Sequence, residues 1–411
     1  MINFTILAAI TGLIAPLLIL GPFFPDLVVS LLSLVFLFHV FKYKLFFYFT
    51  KKPVIIFFIF CTYCILVSIF VAKDILLSFE SSLFYFRIGV FSCLIWYLIE
   101  QDKKILKYIY FSLLISFLLL MVDGCIQFFT STNTLGAPMA MNRVSSFFGE
   151  EWIMGSYLSR LFPLLFALFI LKEKKKLELY FMTLFFIFIG GLILISGERA
   201  AFFLYILSFI FIIIFIKGYV KLRILLSVGL IILITIIMTS SHQLKYRMLH
   251  SPYSSIIQSI FTPGHESVMR TAFNMFLDKP IFGHGPKMFR VVCKNEKYAT
   301  GIYPCMTHPH NFYIQLLAEI GIIGFGFLFS IFIYISYCAY RQLKSLVLNQ
   351  KRYLTNYQVC LLAGMLITVW PLTTNGNFFH NWLMIVYSLP VGFFLHSIYG
   401  KNKSEVYINQ N

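Results

Sequence analysis

The feature that most constrains this chain is the recurrence of apolar runs long enough to cross a bilayer. A spanning helix needs about 20 residues, within a range of about 17–25. Runs of this kind occur at 4–21, 25–41, 53–72, 82–99, 105–122, 154–171, 177–196, 199–216, 223–239, 310–338, 357–371 and 378–398. They predict an all-α polytopic membrane protein with about twelve transmembrane helices, forming a single membrane domain over 1–411. Composition agrees: 60% of residues are hydrophobic and 12% charged, against about 25% charged in a soluble domain. The first run lacks a basic leader and a small-residue cleavage site, so it reads as a retained span.

The formal charge of +17 would suggest nucleic acid in a soluble protein. Here many basic residues sit in alternate short loops. Lys42, Lys44, Lys51 and Lys52 form one group, then Lys103, Lys104 and Lys107. Lys172, Lys174, Lys175 and Lys176 follow, then Lys217, Lys221 and Arg223, then Arg341, Lys344, Lys351 and Arg352, with Lys401 and Lys403 in the tail. The positive-inside rule places these loops and both termini in the cytoplasm. The expected partners are therefore membrane lipid and not nucleic acid.

Two extracytoplasmic loops are long. One runs from about Asp123 to Ile153, the other from about Ser240 to Pro309, inserted between spans nine and ten. The second, about 70 residues long, exceeds ordinary connections, and loops of such length usually carry function. It holds amphipathic stretches near Ser254 to Phe261 and Glu266 to Leu277, and a Gly/Pro-rich piece, Phe282-Gly-His-Gly-Pro286. Cys293 and Cys305 lie in it, in a compartment that permits a disulfide. Cys61, Cys64, Cys93, Cys125, Cys338 and Cys360 fall in or beside spans and read as apolar filler. No histidine spacing points to a metal.

The polar segment His308-Pro309-His310-Asn311 stands where the large loop enters the tenth span. Pro309 suits the first turn of a helix. His310 would then stand at a helix start, where free N–H groups favour an anion. On a continuous helix His310, Leu317, Gly321 and Gly324 share one face, and the glycines would admit a close neighbour. Glu319 falls on the opposite face, near Gln315, and is expected to neutralise Arg87 or Arg160. The turn Ser196-Gly-Glu-Arg199 offers a guanidinium that either snorkels to headgroups or binds phosphate. Arg270 has the same two readings, with Glu266 one turn earlier as an ion-pair partner. Arg87, Arg143 and Arg160 lie toward the same side, where intramembrane arginine usually faces a cavity or a partner. Together they suggest a basic cavity open to the extracytoplasmic leaflet and suited to a pyrophosphate. His380 is placed to reach it, whereas His242, His250, His265 and His284 look scattered through the large loop.

The pattern His310-Asn311, nine residues, Gly321-x-x-Gly324 resembles the signature of the O-antigen ligase and polymerase superfamily. Arg199 and Arg270 match in order and approximate spacing the two arginines that the family uses, and the resemblance covers roughly residues 50–400. It implies an enzyme of the bacterial inner membrane. Such an enzyme transfers a glycan from a polyprenyl-pyrophosphate carrier to an acceptor hydroxyl in the periplasmic leaflet, without cofactor or metal. It further implies that His310 is the catalytic base, that Arg199 and Arg270 bind pyrophosphate, and that Asn311, His308, Gly321 and Gly324 support the site. Asn311 either orients the imidazole or acceptor, or caps the helix. The expected acceptor is lipid A-core. The same scaffold also serves polymerases, whose acceptor is another lipid-linked repeat, and protein O-oligosaccharyltransferases. A transporter or flippase is the alternative of another class; it would place polar residues near the midplane in repeated halves.

Overall fold

The computed structural model describes residues 4–171, 175–249 and 262–401. The amphipathic stretch at 254–261, His250, Lys172, Lys174 and Lys403 lie outside the described residues. The described chain is almost wholly helical: α1 Phe4–Gly12, α2 Ile14–Ile19, α3 Phe23–Tyr43, α4 Lys52–Phe70, α5 Ile75–Leu83, α6 Phe86–Gln101, α7 Lys104–Thr130, α8 Met154–Phe169 and α9 Lys176–Ile195. There follow α10 Arg199–Phe215, α11 Val220–Ser240, α12 His242–Leu249, α13 Pro263–Asp278, α14 Phe289–Val292, α15 Phe312–Val347, α16 Asn356–Thr368 and α17 Asn381–Tyr399. Eight helical stretches are long and apolar enough to cross a membrane, and four shorter apolar ones join them. Each apolar run of the sequence coincides with one of these, so the protein is polytopic.

Helix α8 is the central post. It packs against α7, α9, α10, α16 and α17, and every residue from Tyr157 to Phe169 is buried. Helices α3, α4 and α11 lie outside and turn Leu34, Phe38, Ile59 and Ile231 outward, an apolar surface that suits lipid as solvent.

Three elements differ from the sequence expectation. Helix α7 runs on past Asp123 to Thr130. The buried Asp123 carboxylate accepts bonds from the Thr134 N–H at 2.8 Å and the Ser146 hydroxyl at 2.5 Å. A satisfied acid does not end a helix. The run at 82–99 belongs to a longer stretch, Ile75–Gln101, interrupted between Leu83 and Phe86. The tenth run starts at Phe312, capped by Asn311, and is broken at Ile320 and Gly321.

That break removes the shared face of His310, Leu317, Gly321 and Gly324. Gly321 takes φ +67°, and a Cβ there would stand 2.1 Å from the Ile281 carbonyl oxygen. The close neighbour is therefore a loop. Backbone N–H groups of His284 and Gly285 donate to the Ala318 and Glu319 carbonyls at 3.0 and 2.6 Å, and the Ile322 N–H donates to Pro280 at 2.9 Å. The Tyr63 hydroxyl donates to the Ile320 carbonyl at 2.8 Å. The Gly-rich piece at 282–286 thus occupies the gap in α15 and satisfies polar backbone that lipid could not. At Gly324 the nearest atoms to an added Cβ belong to the Ile320 side chain.

Candidate active site

Five helices aim their N-termini at one cavity. The first residues or caps of α8 (Ile153, Ser156), α10 (Glu198, Arg199), α13 (Thr262, His265) and α17 (His380, Trp382), and His310 just before the cap of α15, all line a space of about 1240 Å³. Each helix start brings the positive end of a dipole, so their convergence favours an anion, although side chains already cap first-turn N–H groups of α8, α13 and α15. Arginines strengthen that field: Arg143, Arg160, Arg199, Arg247 and Arg290 also line the cavity, with Glu151 and Glu198 as its acids.

The turn before α10 builds one wall. Gly197 takes φ +67°, which lets the chain reverse between α9 and α10. The buried Glu198 carboxylate accepts from the Gly155 N–H at 2.7 Å and from the Ser156 hydroxyl at 2.8 Å, capping α8. Burial raises its pKa above the usual carboxylate range, opposed by these bonds and by the Arg143 charge. With Glu198 turned to α8, Arg199 stands at the cavity wall without a carboxylate partner among the described residues. Arg247 reaches back to the Gly197 carbonyl at 3.0 Å. Arg143 lies over the Trp152 ring, 4.9 Å from its centroid.

The opposite wall carries the imidazoles. His310 lies outside the helix in the left-handed region, φ +58°, a strained conformation for a non-glycine residue that concentrates at functional sites. Pro309 therefore precedes the first turn and does not start it. The Asn375 N–H donates to the His310 carbonyl at 2.8 Å. Asn311 caps α15: its Oδ1 accepts from the Tyr313 and Ile314 N–H groups at 3.0 and 3.2 Å. Its Nδ2 donates to the Pro371 and Thr373 carbonyls at 2.8 and 3.1 Å. Asn311 thus pins the irregular segment 371–377 beside His310 and makes no side-chain bond to the imidazole. His265 and His308 flank the His310 ring, with centroids 4.8 and 4.1 Å away. Burial, with help from His265, pushes the His310 pKa down to about 4. Burial and then His310 push that of His308 down to about 3. His265 is lowered by burial and by Arg199. The cluster is neutral near pH 7, with lone pairs available among fixed cations.

The expected residues divide cleanly. Arg199, His310, His308, Arg143, Arg160 and His380 line the cavity. Arg87 does not: it pairs with Asp26 at 2.5 Å and with Ser30 at 3.0 Å. Arg270 does not either. Its side chain is 70% exposed and paired with Glu266 at 2.7 Å, because α13 turns Val268, Thr271 and Ala272 inward. Glu319 is fully buried but neutralises neither Arg87 nor Arg160; it accepts from the Phe289 N–H at 3.1 Å and the Gln315 amide at 2.9 Å. Cys293 and Cys305 form a disulfide, Cα atoms 5.1 Å apart, beside the small apolar core of the large loop. Among the described residues no group of three or more His, Cys, Asp and Glu side chains is placed to hold a metal ion.

Sequence reasoning passed over His265, Glu198, Arg247, Arg290 and the segment 370–377. The last carried a signal: Thr373-Thr374-Asn375-Gly376-Asn377 is a polar run between two apolar ones, on the same side as His310.

With this geometry in hand the class is clear: a polytopic membrane protein with a basic, histidine-bearing cavity at one end of its helices. Residues 184–329 match the model of the O-Antigen ligase family, a segment that includes Arg199, Arg270, His310, Gly321 and Gly324. The match covers less than half of the 411-residue chain and makes this segment similar to the O-antigen ligase family. No curated protein matches the chain.

Proposed function

We propose that this protein is a ligase-type glycosyltransferase that moves a glycan from a polyprenyl-pyrophosphate carrier to a hydroxyl of lipid A-core at the periplasmic face. The observation that carries this reading is the meeting of Arg199 and His310, distant in sequence, on one cavity. There a neutral imidazole stands among cations and helix N-termini. The acceptor oxygen attacks the anomeric carbon while the bond from that carbon to the pyrophosphate oxygen breaks. The electron pair leaves on the pyrophosphate, and the hydroxyl proton passes to His310. Attack opposite the leaving group inverts the centre. Arg199 stabilises charge developing on the pyrophosphate.

Burial, which holds its pKa near 4, makes the His310 imidazole a weak base on its own. A bound pyrophosphate raises it, because an opposite charge nearby favours the protonated imidazole. The donor thus readies its own base. His265 and His308 hold the ring from both sides. Arg270, on the outer face of α13, plays a smaller part than Arg199 in this reading.

The test offers purified protein in lipid a polyprenyl-pyrophosphate-linked glycan with one of three acceptors: lipid A-core, a second lipid-linked repeat, or an unfolded Ser/Thr-rich protein. Transfer to lipid A-core is expected. Transfer only to the lipid-linked repeat would make it a polymerase, and only to protein an oligosaccharyltransferase. Donor crossing the bilayer without transfer would make it a flippase.

A further inference from the structure

Arg160 is 95% buried by its 5% exposure and sits two turns into α8, the most enclosed helix of the bundle. Its Nη2 donates to the Asn375 Oδ1 at 2.8 Å, and its guanidinium lies over the Tyr387 ring, 4.6 Å from the centroid. Among the described residues its Nε and Nη1 have no hydrogen-bond partner, and no carboxylate pairs with it. Other buried side-chain atoms of the cavity lining also lack a partner among the described residues: Asn375 Nδ2 and Trp370 Nε1, and likewise Arg143 Nε, Arg290 Nε, His308 Nε2 and the Tyr387 hydroxyl. A buried cation with free N–H groups is costly unless something supplies negative charge and acceptors. Among the described residues Asn375 Oδ1 supplies one acceptor, but no carboxylate supplies the negative charge and nothing accepts from Nε or Nη1.

We propose that Arg160, Asn375 and Trp370 form an oxyanion-binding subsite in the cavity wall that takes a phosphate or carboxylate group of the substrate. The subsite rests on the glycosyl-transfer reading for its biological ligand, but its binding chemistry stands apart from it. Asn375 ties it to the reacting centre: its side chain holds Arg160 while its backbone N–H holds the His310 carbonyl. Anion binding at Arg160 and placement of His310 therefore pass through one residue. Two sources fit the same chemistry, the carrier pyrophosphate and an acidic sugar of the glycan.

The experiment titrates inorganic pyrophosphate, and separately glucuronate, into the full chain in lipid nanodiscs, with binding read by calorimetry. Losing charge-assisted bonds is expected to weaken one of these ligands about 10- to 100-fold in Arg160→Gln. Arg160→Lys keeps charge but not the two-pronged geometry, and is expected to fall between. Asn375→Asp places a carboxylate against Arg160 and is expected to abolish the effect of the ligand while the helix bundle still melts as wild type does. Dependence of pyrophosphate binding on Arg160 assigns the carrier; dependence of glucuronate binding assigns an acidic sugar. If folded Arg160→Gln and Arg160→Lys bind both probes as wild type does, the subsite is wrong, even where Arg199→Gln weakens pyrophosphate and the transfer reading survives.

Discussion

At the residue scale the site rests on charges that helix packing holds in fixed places. Arg199 stands at the cavity because Glu198 is engaged by α8. Replacing Arg199 by Ala is expected to lower transfer by about 10²–10³-fold, the usual loss for a preorganised charge stabiliser. Replacing the exposed Arg270 is expected to cost less than 10-fold by the surface-pair scale. Initial rates at saturating acceptor compare the two; equal losses would put Arg270 back in the cavity during turnover. The imidazoles make a second prediction, on stability. His310 and His308 bind protons less readily folded than unfolded, with pKa values pushed to about 4 and about 3 from an unfolded value of about 6.5. The unfolded state thus gains protons first as pH falls. Their contribution to stability is complete above about pH 6.5 and is lost progressively below it, toward about pH 4 and under. Melting temperatures of solubilised protein between pH 7 and pH 4 are expected to fall, and to fall less in His310→Gln. An equal fall in both would mean that the His310 ring is not shielded. From sequence, His310 and Arg199 were legible because each sits at a polarity boundary. His265 was not, since only the tertiary turn of α13 brings it against His310.

At the element scale the break in α15 is the main device. Ile320 and Gly321 interrupt the helix, and residues 280–285 fill the gap with backbone bonds. Gly321 has φ +67° and ψ −166°, a region open almost solely to glycine, where another residue costs on the order of 1–3 kcal/mol before any clash. The Ile281 carbonyl 2.1 Å from a Cβ adds the clash. Gly321→Ala is expected to lower the melting temperature and transfer together, while Gly324→Ala, whose Cβ would crowd the Ile320 side chain at 2.1 Å but carries no left-handed backbone strain, is expected to change either less. The reverse order in a melt would show that α15 runs unbroken. Sequence pattern could not reveal this break: apolar periodicity continues across it, and a helical wheel assumes the continuity that Gly321 removes. The Gly-His-Gly piece and the glycines of α15 were each visible, but not that they meet.

At the scale of the whole molecule the apolar runs dictated most of the architecture, because a span must satisfy its own backbone and so must be helical. The order and approximate bounds of the helices followed from that alone. Which helix is central did not: α8 resembles the others in hydrophobicity, and only its neighbours on all sides make it the post that carries Arg160 inward. The alternation of basic loops gives a topology that is open to test. Reporter fusions after Lys44 and Lys351 are expected to read as cytoplasmic, and one after Lys297 as periplasmic; a fusion after Lys297 that reads as cytoplasmic would invert the site.

The most direct test of the central claim uses a bacterial host whose own ligase is deleted and which makes a matching donor and core. It receives wild type or His310→Ala, with protein level checked by blot. Glycan on lipid A-core with wild type, and none with an equally abundant His310→Ala, is the predicted result. Normal transfer by His310→Ala would contradict the account, because the cavity would then hold a different base.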